Sequence, residues 1–184
     1  MRRNKYILLM LSVLLGMTLG GCGGSGGTTE QYTVALVAKS TQTEFWLSVF
    51  AGAEAAATEY NLELTVVGPE TEEDYETQNQ MVEEAVRQGA DAIVFSAIDF
   101  ENNAAAIDSA AQQGVRIVAI DSNVDSDQVS TYIGTDNYAA GQMAAQAALE
   151  QVEGPLSVGL VNYDEGTANG QERERGALDA FADS

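Results

Sequence analysis

From residue 33 onward, short runs of aliphatic and β-branched residues alternate with longer segments that repeat apolar residues every three or four positions. The runs are 33–38 (TVALVA), 62–68 (LELTVVG), 92–96 (AIVFS), 115–120 (VRIVAI), 130–133 (STYI) and 156–161 (LSVGLV). Most are apolar on both faces, as strands must be when helices cover both sides of a parallel sheet. Between them, Trp46, Val49, Phe50, Ala53, Ala57 and Tyr60 form one helical stripe. Tyr75, Gln78, Val82, Ala85 and Val86 form a second, and Ala104, Ile107, Ala110 and Ala111 a third. An Ala-rich segment, 137–152, makes a fourth helix, and 170–181 begins a fifth. Gly89 and Gly114 stand where a glycine ends the second and third helices. The pattern predicts an α/β fold: an open parallel sheet with right-handed crossovers and helices on both faces.

The turn after the first run reads Lys39-Ser40-Thr41-Gln42-Thr43-Glu44-Phe45-Trp46. It contains neither Gly-x-Gly-x-x-Gly nor a Gly-Lys-Ser/Thr phosphate loop, which argues against a nucleotide cofactor. With 28 acidic residues against 8 basic and no histidine, the chain is poorly suited to nucleic acid and lacks the imidazole for a Ser-His-Asp triad or a Cys/His zinc site. The acidic cluster Glu70, Glu72, Glu73, Asp74 and Glu76 could suggest a cation site. It reads better as a solvated loop that places carboxylates at a helix N-terminus, so no metal and no cofactor are expected.

The N-terminus differs from the body. Arg2, Arg3 and Lys5 precede a short apolar run, and residues 1–21 hold no acid. This is the layout of a secretory signal, too short for a comfortable membrane span. The run ends in Leu19-Gly20-Gly21-Cys22, which resembles the bacterial lipobox, and Cys22 is the only cysteine. The expectation is a signal peptide at 1–21, lipidation at Cys22 and a Gly-rich tether over 22–31. Such a protein sits outside the cytoplasm, anchored to the cell membrane by lipid alone.

In an open parallel sheet, ligands bind beyond the carboxyl ends of the strands. Those ends carry Thr43, Phe45 and Trp46; Ser96 and Asp99; Asp121, Ser122 and Asn123; Gly134, Thr135, Asp136 and Asn137; and Asn162, Tyr163 and Asp164, followed by Asn169, Arg173 and Arg175. Carboxylates, amides, a guanidinium and aromatic faces suit a neutral polyhydroxyl ligand, and no nucleophile–base pair is evident, so no catalytic residue is expected. Each group has a plainer reading. Thr43 can be a helix N-cap, Phe45 and Trp46 core residues, and Asp136 and Asn137 caps of the fourth helix. Asp121 ends an apolar run and needs a partner there.

These residues resemble the type I periplasmic sugar-binding proteins of ABC importers, the ribose-binding-protein group. The likeness runs in order through the 43–46 turn, Gln88–Val94 (QGADAIV), 114–121 (GVRIVAID), 133–137 with Gly141, and 169–176. It implies a two-lobed clamshell that closes on a sugar and presents it to a membrane permease, with residues 32–135 as the first lobe and 136–184 as the start of the second. By position, aromatic stacking falls on Phe45 and Trp46, and polar contacts fall on Thr43, Ser96 and Thr135. The hydroxyl-binding carboxylate falls on Asp121 and the second-lobe guanidinium on Arg173. Asp164 and Asn169 lie on the facing edge.

Two departures stand out. Thr43-Glu44 replaces the usual Asn-Pro, and Asp121-Ser122 replaces Asp-Arg, which puts ribose itself in doubt while leaving a sugar-like solute. The length falls short of a whole clamshell, so the expectation is a monomeric, C-terminally truncated binding lipoprotein. The alternative is a receptor that docks a sugar-like signal on a chemoreceptor or sensor kinase. A LacI-type repressor shares the fold, but the signal segment and the lack of a DNA-binding helical module argue against it.

Overall fold

The structure is a computed structural model that describes residues 31–155 and 157–183. The expected signal peptide, Cys22 and nearly all of the tether lie outside the described residues, as does Leu156. Five strands form one sheet: β1 (Thr33–Val37), β2 (Glu63–Val67), β3 (Ala92–Phe95), β4 (Arg116–Ile120) and β5 (Val129–Ile133). Their order is β2-β1-β3-β4-β5 and every pairing is parallel. The register of β4 on β5 slips between Ile117 and Val118, so Ser130 is left out of the ladder.

The helices are α1 (Glu44–Tyr60), α2 (Tyr75–Arg87), α3 (Ala104–Gln112), α4 (Asn137–Leu149) and α5 (Ala168–Ala182). Strand residues alternate between two cores. On one face, Leu36, Ala38, Val66 and Val94 meet Trp46, Val49, Phe50 and Ala53 of α1. On the other, Val37, Ile93, Phe95 and Ile117 meet Val82 and Ala85 of α2 and Ile107 and Ala110 of α3. Helices therefore cover both faces, as the apolar runs predict. The α1 stripe stops short of its expected end, because Tyr60 is 68% exposed beside the helix terminus.

Local chemistry sets the helix ends. Thr43 and Asp74 accept from the backbone N–H three residues on and start α1 and α2. Asp74 is held below its ordinary carboxylate range by its bond from the Thr77 N–H. At the other end, Gly89 (φ 83°) and Gly114 (φ 91°) take the left-handed conformation that closes α2 and α3. Gly89 N–H donates to Val86 O and Ala90 N–H to Ala85 O, and the pattern recurs from Gly114 to Ala111 and from Val115 to Ala110. These paired bonds stop each helix and turn the chain directly into the next strand.

The sixth run behaves differently. Residues 157–161 form no strand. A strand must give its N–H and C=O groups to a neighbour, and among the described residues this segment finds none. Helices α4 and α5 pack on each other. A Cβ at Gly141 would run into the Arg173 carbonyl and one at Gly176 into the Tyr138 carbonyl, so glycine at both positions lets the two backbones meet. Among the described residues no helix is long and apolar enough to cross a membrane.

Candidate functional site

The strand order reverses direction between β1 and β3, and a crevice opens beyond their carboxyl ends. Its floor is fixed by Gln78, fully buried on α2. The Gln78 amide N–H groups donate to Ala38 O (2.9 Å) and Ser96 O (2.8 Å), and its oxygen accepts from Ile98 N–H (3.1 Å). One side chain thereby joins the ends of β1 and β3.

Asp121 stands at the end of β4 with φ 57°, a conformation that few side chains adopt outside glycine and that Asp tolerates better than most. Its backbone is held on both sides: its N–H donates to Ile133 O (3.0 Å), and Tyr132 Oη donates to its carbonyl (2.6 Å). Burial, with the Asp121 charge second, pushes the Tyr132 phenol above its ordinary pKa. The carboxylate receives Ser96 Oγ at 3.2 Å and Asn169 Nδ2 at 3.3 Å, and lies 3.5 Å from Lys39 Nζ. The network continues across the crevice. Asn137 Nδ2 donates to Asn169 Oδ1 (3.2 Å), and Arg173 Nε donates to Asn137 Oδ1 (2.8 Å).

Around this network lies a cleft of about 730 Å³, within the range of small-molecule sites. Of the predicted residues, Thr43, Phe45, Trp46, Asp121, Asn169 and Arg173 line it. Phe45 is 57% exposed and meets the buried Trp46 edge-on, ring centroids 5.1 Å apart. Three predicted residues sit elsewhere. Ser96 is fully buried beneath the cleft, where its hydroxyl supports Asp121. Thr135 is exposed and its backbone oxygen accepts from Asn137 Nδ2 at 3.1 Å. Asp164 lines an adjoining acidic groove and accepts from Gly166 N–H (2.7 Å), closing a turn before α5. The neighbouring Arg175 points away from the cleft, stacking 5.1 Å over Tyr138.

Sequence reasoning passed over Lys39 and Glu72, both of which line the cleft. Lys39 was legible: it ends an apolar run just as Asp121 does, and it is 3% exposed. A charge so placed requires a partner of opposite sign. Glu72 had no such signal, since it lies within an acidic loop. The cleft therefore carries two cations and the carboxylates of Glu72, Asp121 and Glu174. With Lys39 already paired to Asp121, such a lining favours a neutral ligand rich in hydroxyls over an anion. Among the described residues no group of three or more acidic, Cys or His side chains is placed to hold a metal ion.

The family described as "Periplasmic binding protein domain" matches residues 34–184. The chain is 26% identical over 187 residues to the D-allose-binding periplasmic protein of Escherichia coli K12, covering 97% of this chain and 58% of that protein. It is 25% identical over 185 residues to the ribose import binding protein of Bacillus subtilis, covering 96% and 59%. A carbohydrate transporter solute binding protein from Agrobacterium radiobacter, solved in complex with D-arabinose, superposes with a TM-score of 0.77. That pair shares 29% identity over 84% of this chain and 54% of the other. The chain thus spans a little over half the length of the curated relatives it matches. Its parallel sheet, its cleft at the strand ends and this match over most of its length place the chain in the periplasmic binding protein domain family.

Proposed function

We propose that this chain supplies the binding cleft of an extracytoplasmic substrate-binding protein that captures a monosaccharide or sugar-like solute and delivers it to an ABC importer. The observation that carries the reading is the Asp121 carboxylate, exposed to the cleft, with its oxygens aimed by Ser96, Asn169 and Lys39 beside the open face of Phe45. A carboxylate so oriented accepts from vicinal hydroxyls, and an aromatic face packs against the C–H side of a sugar ring. Relatives named for binding D-allose and importing ribose support the ligand class.

In this reading residues 32–135 are the first lobe and the segment from 136 onward begins the facing one, with Asn169 and Arg173 reaching across. Thr43 and Arg173 contact the ligand with Phe45 and Asp121, Trp46 backs Phe45 from the core, Ser96 aims Asp121, and Thr135 and Asp164 shape the flanking turns. The protein binds without catalysis, acts as a monomer, and is held outside the cytoplasm by lipid on Cys22 after loss of residues 1–21. Closure of the lobes on the ligand is a population shift toward the form the permease accepts.

Calorimetric titration of the intact protein with D-ribose, D-allose and D-arabinose tests the reading. Binding well below millimolar concentrations is expected for at least one sugar, abolished by Asp121→Ala and unaffected by Glu73→Ala. No binding below millimolar concentrations, or equal effects of the two substitutions, overturns it. Metabolic labelling with a fatty acid that disappears in Cys22→Ala tests the anchor.

A further inference from the structure

We propose that Glu72 is a positioning residue of the cleft, holding the Trp46 ring with one carboxylate oxygen and Tyr163 of the facing wall with the other. The proposal rests on the sugar-binding reading for its effect on affinity, but not for its effect on Trp46. Trp46 Nε1 donates to Glu72 Oε1 at 2.9 Å, and Tyr163 Oη donates to Glu72 Oε2 at 2.8 Å. The three residues come from separate segments: the first turn of α1, the loop between β2 and α2, and the stretch before α5. A single carboxylate therefore joins the aromatic wall of the sheet side to the 162–164 segment opposite.

The chemistry suits that role. An indole has one donor and no acceptor, and Trp46 is 1% exposed, so its N–H depends on a protein acceptor. Its ring is otherwise located only by apolar contact, edge-on to Phe45 and stacked on Phe50 at 6.3 Å. That packing leaves the indole N–H as the one polar group of a buried ring, and the bond to Glu72 satisfies it and sets the direction in which it points. A bond to an ionised acceptor is about twice as strong as a neutral one. The Tyr163 phenol is pushed up to about 12 by partial desolvation of its hydroxyl end and by the Glu72 carboxylate that accepts from it, although the residue as a whole is largely exposed. Asp74, from the same acidic run, serves the helix N-terminus, whereas Glu72 lines the cleft.

The chain contains one tryptophan, so emission excited beyond the absorption of its tyrosines reports Trp46 alone. Glu72→Gln keeps the shape and removes the charge beside the indole nitrogen. Tyr163→Phe removes one hydroxyl at a residue that is 71% exposed and leaves folding intact. Without ligand, Glu72→Gln is expected to shift the emission, and Tyr163→Phe to shift it less. For whichever of D-ribose, D-allose and D-arabinose the protein binds, Glu72→Gln should weaken affinity about tenfold, as loss of a charged hydrogen bond does. The Glu72→Gln/Tyr163→Phe pair should be no weaker than Glu72→Gln alone, because both act through one carboxylate. An unchanged emission in Glu72→Gln, or fully additive losses of affinity, overturns the proposal. Should none of the three sugars bind, the sugar reading fails while the ligand-free emission still decides the role of Glu72.

Discussion

The sheet half of the molecule and the helical pair that faces it bury themselves by different means. Between 33 and 133, Val, Ile and Phe side chains from alternating strand positions, with Trp46 of α1 and the apolar faces of α2 and α3, fill two cores, and the strands complete their ladder among themselves. The residues buried on α4 and α5 are small or polar: Asn137, Gly141, Ala145, Ala168, Gly170, Gly176 and Ala177. Large apolar groups of that region stay outside, Val161 at 96% exposure among them. The hydrophobic effect scales with apolar area removed from water, so the first half holds most of the cohesion. The second holds its shape through close backbone approach and the Arg173–Asn137–Asn169–Asp121 chain. The cleft thus has one rigid wall that presets Asp121 and one wall attached to it mainly by polar contacts.

Substitutions can break this contrast. The largest effect is expected of Gln78→Leu, which strands Ala38 O, Ser96 O and Ile98 N–H in the interior. Each buried group left unpaired costs about 1–3 kcal/mol, so urea unfolding should show a loss of about 3–5 kcal/mol. A loss below about 1 kcal/mol would mean that the sheet half is not the rigid one. Lys39→Met comes next. It leaves Asp121 without its cation, and because the Asp121 side chain is 29% exposed we expect about 2 kcal/mol, less than for a fully buried pair. The same denaturation measurement checks it, alongside weakened sugar binding.

Gly141→Ala forces α4 from α5 at the Arg173 carbonyl and should cost about 1–2 kcal/mol. Hydrogen exchange locates the damage: faster exchange in α4 and α5 with β1 and β3 unchanged sharpens the contrast, whereas acceleration throughout abolishes it. The smallest effect concerns pH. The Tyr163 phenol titrates at about 12 in the folded protein against 10 unfolded, so the folded state favours the protonated phenol. Its contribution is therefore complete below pH 10 and is lost as pH rises toward 12. Tyr163→Phe should lower stability slightly at pH 7, where the bond to Glu72 is intact, and flatten the alkaline decline over that window.

Particular residues show how far the sequence could be read. The central strands β1, β3 and β4 emerged from apolar runs because a parallel strand covered on both faces leaves a continuous signature. At the sheet edges β2 and β5 are more exposed and were legible from their β-branched residues. Gly89 and Gly114 marked helix ends because only the left-handed conformation closes them cheaply. Asp121 was legible as a charge ending an apolar run, and Lys39 carried the same signal unread. Ser96 was placed correctly at a strand end, yet which way its hydroxyl turns depends on Asp121, 25 residues away. The run at 156–161 misled because composition shows that a segment can be a strand, while pairing decides whether it is.

The sequence by itself determined the parallel α/β architecture, the strand-end location of the cleft and the chemical types that line it, because periodicity and burial preference are properties of neighbouring residues. Tertiary structure alone decided that Lys39 pairs with Asp121, that Gln78 ties β1 to β3, and that Glu72 reaches both Trp46 and Tyr163. Those contacts join residues far apart in the chain, and a hydrogen bond or ion pair depends on distance and direction, which only the folded backbone supplies.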